Sequence, residues 1–146
     1  MPNSIKSSMA RTFFKGNAHL NLVGKAAYSI LIGVCGTIFL VLFLGALMGV
    51  FHVVSFIPWI IAFNTAITGY SLVDKTGDRL KYKQISAVSA GIMNVLITYV
   101  LLSLVFVYSA GEYLFSVRAL GLFLAIGVVC SDLGALLAIK YFRLNR

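Results

Sequence analysis

Acidic residues are scarce: four Asp and Glu face twelve Lys and Arg, and charged residues of both signs fill only 11% of 146 positions. With 60% hydrophobic residues and a mean hydropathy of +0.98, that shortage excludes a cytosolic globule and a disordered tail. Cysteine is scarce too. Cys35 and Cys130 stand alone with no Cys-x-x-Cys spacing, which argues against a disulfide scaffold, thiol redox chemistry or metal binding and leaves packing as their use. The two histidines, His19 and His52, fall on opposite sides of an apolar stretch and cannot share a metal ion. Glycine-rich phosphate loops, paired carboxylates and a nucleophile beside a base are missing as well. The expectation is no enzyme, no cofactor and no metal.

What the chain does have is long uncharged runs. Ala26 to Val73 contains no Asp, Glu, Lys or Arg over 48 residues, about twice the roughly 20 residues a helix needs to cross a bilayer. That run therefore reads as two spans. They divide near Gly49 and Ser55, before Pro58-Trp59, since proline suits a first helical turn and tryptophan the headgroup level. Two further apolar runs follow. The predicted spans are about 26–50, 57–73, 85–108 and 120–141, forming one domain over 26–142, with a basic interfacial segment at 1–25 and a tail at 143–146. A signal peptide is excluded for the first span, because its apolar run of at least 24 residues exceeds the expected 7 to about 15.

Basic residues set the expected orientation. Lys6, Arg11, Lys15 and Lys25 precede span one; Lys75, Arg79, Lys81 and Lys83 join spans two and three; Lys140, Arg143 and Arg146 close the chain. Only Arg118 falls on the other side. Eleven against one predicts both termini inside, and with it a multi-pass protein of the cell inner (cytoplasmic) membrane. Because these residues track topology and form no continuous face, no nucleic-acid partner is expected. Lys75, Arg79, Lys81 and Lys83 are candidate contacts for anionic lipid headgroups or an acidic partner. Phe51, Phe56, Trp59, Tyr108, Tyr113 and Phe115 read as an outer aromatic belt, and Phe13, Phe14, Tyr28, Tyr70, Tyr82, Tyr141 and Phe142 as an inner one.

Helices in lipid associate through small residues and interhelical hydrogen bonds, because lipid tails are as apolar as leucine. Candidate packing positions are Gly33, Gly36, Gly45 and Gly49 in span one, Gly91 in span three, and Gly121, Gly127, Ser131 and Gly134 in span four. In span four two neighbouring stripes arise, one of Gly121, Ala125, Val128, Asp132 and Ala135, the other of Gly127, Ser131, Gly134 and Ala138. Both are expected to face inward.

Polar side chains recur at one depth. Asn64, Asn94 and Asp132 each lie nine residues from the inner end of their spans, about 14 Å in, near the midplane of a core about 30 Å thick. Asn64-x-x-x-Thr68 and Asn94-x-x-x-Thr98 place a threonine one turn from each asparagine, and Thr37 shares the level. The expectation is a midplane polar layer centred on Asp132. It serves either as helix-packing glue or as a proton or cation site, since intramembrane acids often mark such paths. No second acid or basic partner occupies another span, and that favours the structural use.

Two resemblances accompany these features. Ile57-Pro58-Trp59-Ile60-Ile61-Ala62, Thr68-Gly69-Tyr70, Lys81-Tyr82-Lys83-Gln84-Ile85-Ser86-Ala87-Val88 and Thr98-Tyr99 resemble a four-helix domain of uncharacterised bacterial membrane proteins. Asn64 and Ser71-Leu72-Val73-Asp74 depart from it, and the resemblance implies no activity. The layout of four spans, with basic residues after the second and fourth, is similar to the small family that moves polyprenyl-linked sugars across the inner membrane, although that family's aromatic-asparagine signature is missing. Together the features predict an all-α integral membrane four-helix bundle, N-in and C-in. Its expected role is a non-enzymatic subunit or assembly partner of a larger membrane complex, with membrane lipids and other subunits or a second copy as partners; the alternative is a small transporter or flippase-like helper using Asp132.

Overall fold

The computed structural model describes residues 3–77, 82–111 and 115–144. All its elements are helices: α1 (Asn3–Met48), α2 (Val50–Val54), α3 (Ile57–Thr76), α4 (Lys83–Ala110) and α5 (Val117–Leu144). Asp78, Arg79, Leu80, Lys81, Glu112, Tyr113 and Leu114 lie outside the described residues.

Helix α1 runs for 46 residues, about 69 Å at 1.5 Å per residue. The helix continues across residue 25, because the stretch contains no proline to interrupt the hydrogen-bond ladder. It ends at Gly49, where φ is +84°, a conformation open to glycine; the Gly49 N–H donates to the Gly45 carbonyl at 3.0 Å. The short α2 then turns the chain into α3, which carries Pro58 in its first turn. Helix α4 stops at Gly111 (φ +73°), whose N–H closes onto the Val107 carbonyl at 3.0 Å, a left-handed glycine cap.

Among the described residues, three helical segments are long and apolar enough to cross a membrane: Leu22–Met48, Lys83–Ser109 and Val117–Tyr141. Helix α3, the expected second span, is not one of them. It carries Asn64, Thr65, Thr68, Ser71 and Thr76 as well as Asp74 and Lys75. Its position explains that composition, for α3 packs against α1, α4 and α5 and buries ten of its 20 residues. Helices α1 and α5 flank the α3–α4 pair from opposite sides.

The interior changes character along its length. Toward the end remote from Lys25, Lys75 and Lys140, Val41, Val53, Ile57, Ile61, Leu102, Phe106 and Phe123 form a bulky apolar core. Toward the lysine-bearing end, Val73, Ala87, Ala135 and Ala138 form a tighter one. Between them lie the buried Thr37, Asn64, Thr65, Thr68, Asn94, Thr98 and Ser131. Phe115, expected in an aromatic belt, is half-buried instead and packs edge-on against Phe106 at 5.3 Å and Phe123 at 5.9 Å. The periphery is apolar as well: Phe39, Phe63, Leu104 and Leu137 are all more than 60% exposed. Such a surface suits hydrocarbon and not water.

Candidate functional site

The polar level is built mainly from α3 and α4. A buried threonine or asparagine inside a helix must place its polar atoms somewhere, and the nearest acceptor is a carbonyl one turn back. Asn64 Nδ2 donates to the Ile60 carbonyl at 3.0 Å, Thr65 to Ile61 at 2.7 Å, Thr68 to Asn64 at 2.9 Å, and Thr37 to Gly33 at 2.9 Å. Asn94 is the group that crosses between helices. Its Nδ2 donates to Thr68 Oγ1 at 2.7 Å, and its Oδ1 accepts from Thr98 at 3.1 Å. No buried side-chain nitrogen or oxygen among the described residues lacks a partner. The level is therefore a closed network of neutral groups.

Glycine lets the helices reach it. A Cβ on Gly33 of α1 would collide with Thr68 Oγ1 and Asn94 Nδ2, and one on Gly36 would lie 2.5 Å from Asn64 Oδ1. Across the bundle, Ser131 of α5 fits between two more glycines. Its Oγ donates to the Ala87 carbonyl of α4 at 2.6 Å. A Cβ on Gly91 would lie 2.5 Å from Ser131 Cβ, and one on Gly69 of α3 would strike the Ser131 carbonyl. Gly134 meets the Ala66 backbone and Gly127 the Val95 side chain at similarly close range.

Of the expected packing positions, Gly33, Gly36, Gly91, Gly127, Ser131 and Gly134 thus sit at close helix crossings, whereas Gly45, Gly49 and Gly121 do not. Gly49 is a turn residue, Gly45 has only Val53 Cγ2 at 4.0 Å, and nothing lies within 4 Å of Gly121, which is exposed. Gly69, not among the expected packing positions, also sits at a close crossing. Its signal was Thr65-x-x-x-Gly69, a small-x-x-x-small pair on one face.

Asp132 does not centre the layer. It lies half-buried at the edge of α5's packed face and makes no hydrogen bond or ion pair within the described residues. The Gly127, Ser131, Gly134 and Ala138 stripe occupies the contact with α3 and α4, while the neighbouring stripe lies at its flank: Ala135 is buried with Val73 and Ala87, Val128 and Asp132 are half-buried, and Gly121 and Ala125 are exposed. Successive residues differ by 100° around a helix. Centring Ser131 therefore swings Asp132 to the flank, near the exposed Val129, Leu133 and Leu136.

At the lysine-bearing end of the α1–α3 crossing, Lys25 Nζ donates to the Lys75 carbonyl at 2.8 Å. Lys75 Nζ stands 3.6 Å above the centroid of the Tyr28 ring. One turn deeper, the Ser29 and Ser71 hydroxyls are 3.3 Å apart. Lys83 is half-buried at the start of α4, while Arg79 and Lys81 fall outside the described residues. At the opposite end, a half-open cleft of about 270 Å³ lies between Val41, Gly45, Val53, Val105, Phe106 and Ser109. Its one hydroxyl, that of Ser109, is spent on the Val105 carbonyl at 2.7 Å, so no polar groups converge there on a substrate. No group of three or more His, Cys, Asp or Glu suited to a metal occurs among the described residues. No family model, curated protein or solved structure matches the chain.

Proposed function

We propose that the chain is an integral membrane protein of the inner membrane in which α1, α3, α4 and α5 all span, with both termini cytoplasmic, and that it works as a non-enzymatic subunit or assembly partner of a larger membrane complex. Three membrane-length apolar helices and an apolar periphery support the placement. Helix α3 can join them despite its polar content because its threonines and Asn64 are buried against protein and hydrogen-bonded. The blocks of basic residues support the orientation.

The observation that carries the role is Asp132. A carboxyl group midway along a membrane-length helix, half-exposed and without a partner among the described residues, is costly in hydrocarbon. A polar or basic group on a neighbouring transmembrane helix would relieve that cost. A transport site at the midplane would instead require Asp132 to join Asn64, Asn94 and Thr98, and the carboxyl lies apart from that network. Extraction in mild detergent followed by native mass measurement tests the role. A foreign subunit in fixed stoichiometry, lost from the Asp132→Leu variant, is expected. A clean homodimer or homotetramer would overturn it.

A further inference from the structure

We propose that Lys25 and Lys75 form a phosphate-binding site at the lysine-bearing end of the α1–α3 crossing, and that its ligand is the headgroup phosphate of an anionic phospholipid. The inference rests on the membrane placement above and not on any protein partner.

Lys25 and Tyr28 are three residues apart on α1 and so share a face. Lys25 reaches the Lys75 carbonyl and Tyr28 holds the Lys75 ammonium, so that both half-buried lysines are engaged at the same crossing. Neither forms an ion pair among the described residues: Asp74, the nearest acid in sequence, is exposed and pairs with neither lysine. Two cationic side chains thus meet at one helix crossing without a counterion among the described residues.

The negative end of the α3 dipole would ordinarily repel an anion here. Three carbonyls of that end are already hydrogen-bonded. The Thr76 hydroxyl donates to the Leu72 carbonyl, the Gly77 N–H to Val73, and Lys25 to Lys75. An ammonium has three N–H donors. Lys25 spends one on the carbonyl, and Lys75 turns one side to the ring, so each keeps donors for phosphate oxygens. Both side chains are already ordered, which lowers the entropic cost of binding. Charge-assisted hydrogen bonds of this kind suit a phosphate at headgroup depth.

The full chain, purified in detergent and supplied with phosphatidylglycerol or phosphatidylcholine, is read by native mass spectrometry of lipid adducts. Phosphatidylglycerol is expected to bind preferentially, with a loss of about fivefold for each lysine removed. Lys75→Gln is the decisive variant, because its backbone carbonyl still accepts from Lys25 and the α3 cap survives; Lys25→Gln is added to it, with thermal unfolding followed in parallel. Lys140→Gln, an equal loss of charge at the exposed end of α5, should stay within about twofold of the parent protein. The site is refuted if Lys140→Gln loses as much lipid as Lys75→Gln, or if the double variant binds as the parent does. Displacement of the lipid by millimolar inorganic phosphate would overturn the lipid assignment and make a soluble phosphate the ligand. A homo-oligomer in the same spectra would sink the subunit reading and leave this result standing.

Discussion

Ser131 of α5 donates its hydroxyl to the Ala87 carbonyl of α4 at 2.6 Å, and it does so at a point where glycines on two other helix faces leave no room for a larger group. Ser131→Ala removes one hydrogen bond and little volume, and should destabilise by about 1 kcal/mol. Ser131→Val removes the donor and adds a branch that presses on Gly69 and Gly91, so about 1–3 kcal/mol is expected. Thermal unfolding in micelles ranks the two; equal stability of Ser131→Val and the parent protein would contradict the packing.

Asn94 and Thr68 form the cross-helix bond of the polar level, at 2.7 Å. A double-mutant cycle of Asn94→Leu and Thr68→Val should give a coupling of about 0.6–1.7 kcal/mol, the range for hydrogen bonds inside membrane bundles. Additive effects would mean the two side chains do not act together.

Gly33 and Gly121 make a matched pair on the two flanking helices. A Cβ at Gly33 collides with Thr68 and Asn94, whereas nothing lies within 4 Å of Gly121. Gly33→Ala should therefore cost about 1–3 kcal/mol, while Gly121→Ala is neutral or slightly stabilising. If the two variants unfold at the same temperature, the α1 crossing is misplaced.

Orientation is open to direct measurement. A fluorescent protein fused after Arg146 should fluoresce in the cytoplasm, and a phosphatase that needs an oxidising compartment should stay inactive at the same point. The reverse pattern would contradict the basic-residue reading.

Helix was legible because uncharged runs bounded by basic residues leave lipid-buried backbone few other ways to satisfy its hydrogen bonds. The limits at residues 57, 85, 108 and 120 fall within three residues of the observed helix ends. The 1–25 boundary was not legible as a structural break: a change from polar to apolar residues alters what surrounds a helix without interrupting its ladder. The polar level could be read as a depth, since Asn64, Asn94 and Asp132 share one, but not as a set of bonds. That the Asn94 amide reaches Thr68, with Asn64 turned to its own Ile60 carbonyl, depends on how α3 and α4 are rotated.

By itself the sequence determined the helices, their approximate ends, the shortage of chemistry outside them, and the fact that one acid lies deep in an apolar run. Only the tertiary structure decided which side of α5 turns inward. Both of its stripes contain small residues and lie 100° apart, so local pattern left them equivalent. The close fit of Ser131 between Gly69 and Gly91 centres its stripe on the crossing and leaves Asp132 at the flank, 100° round the helix, although Ala135 of the second stripe is buried nearer the lysine-bearing end.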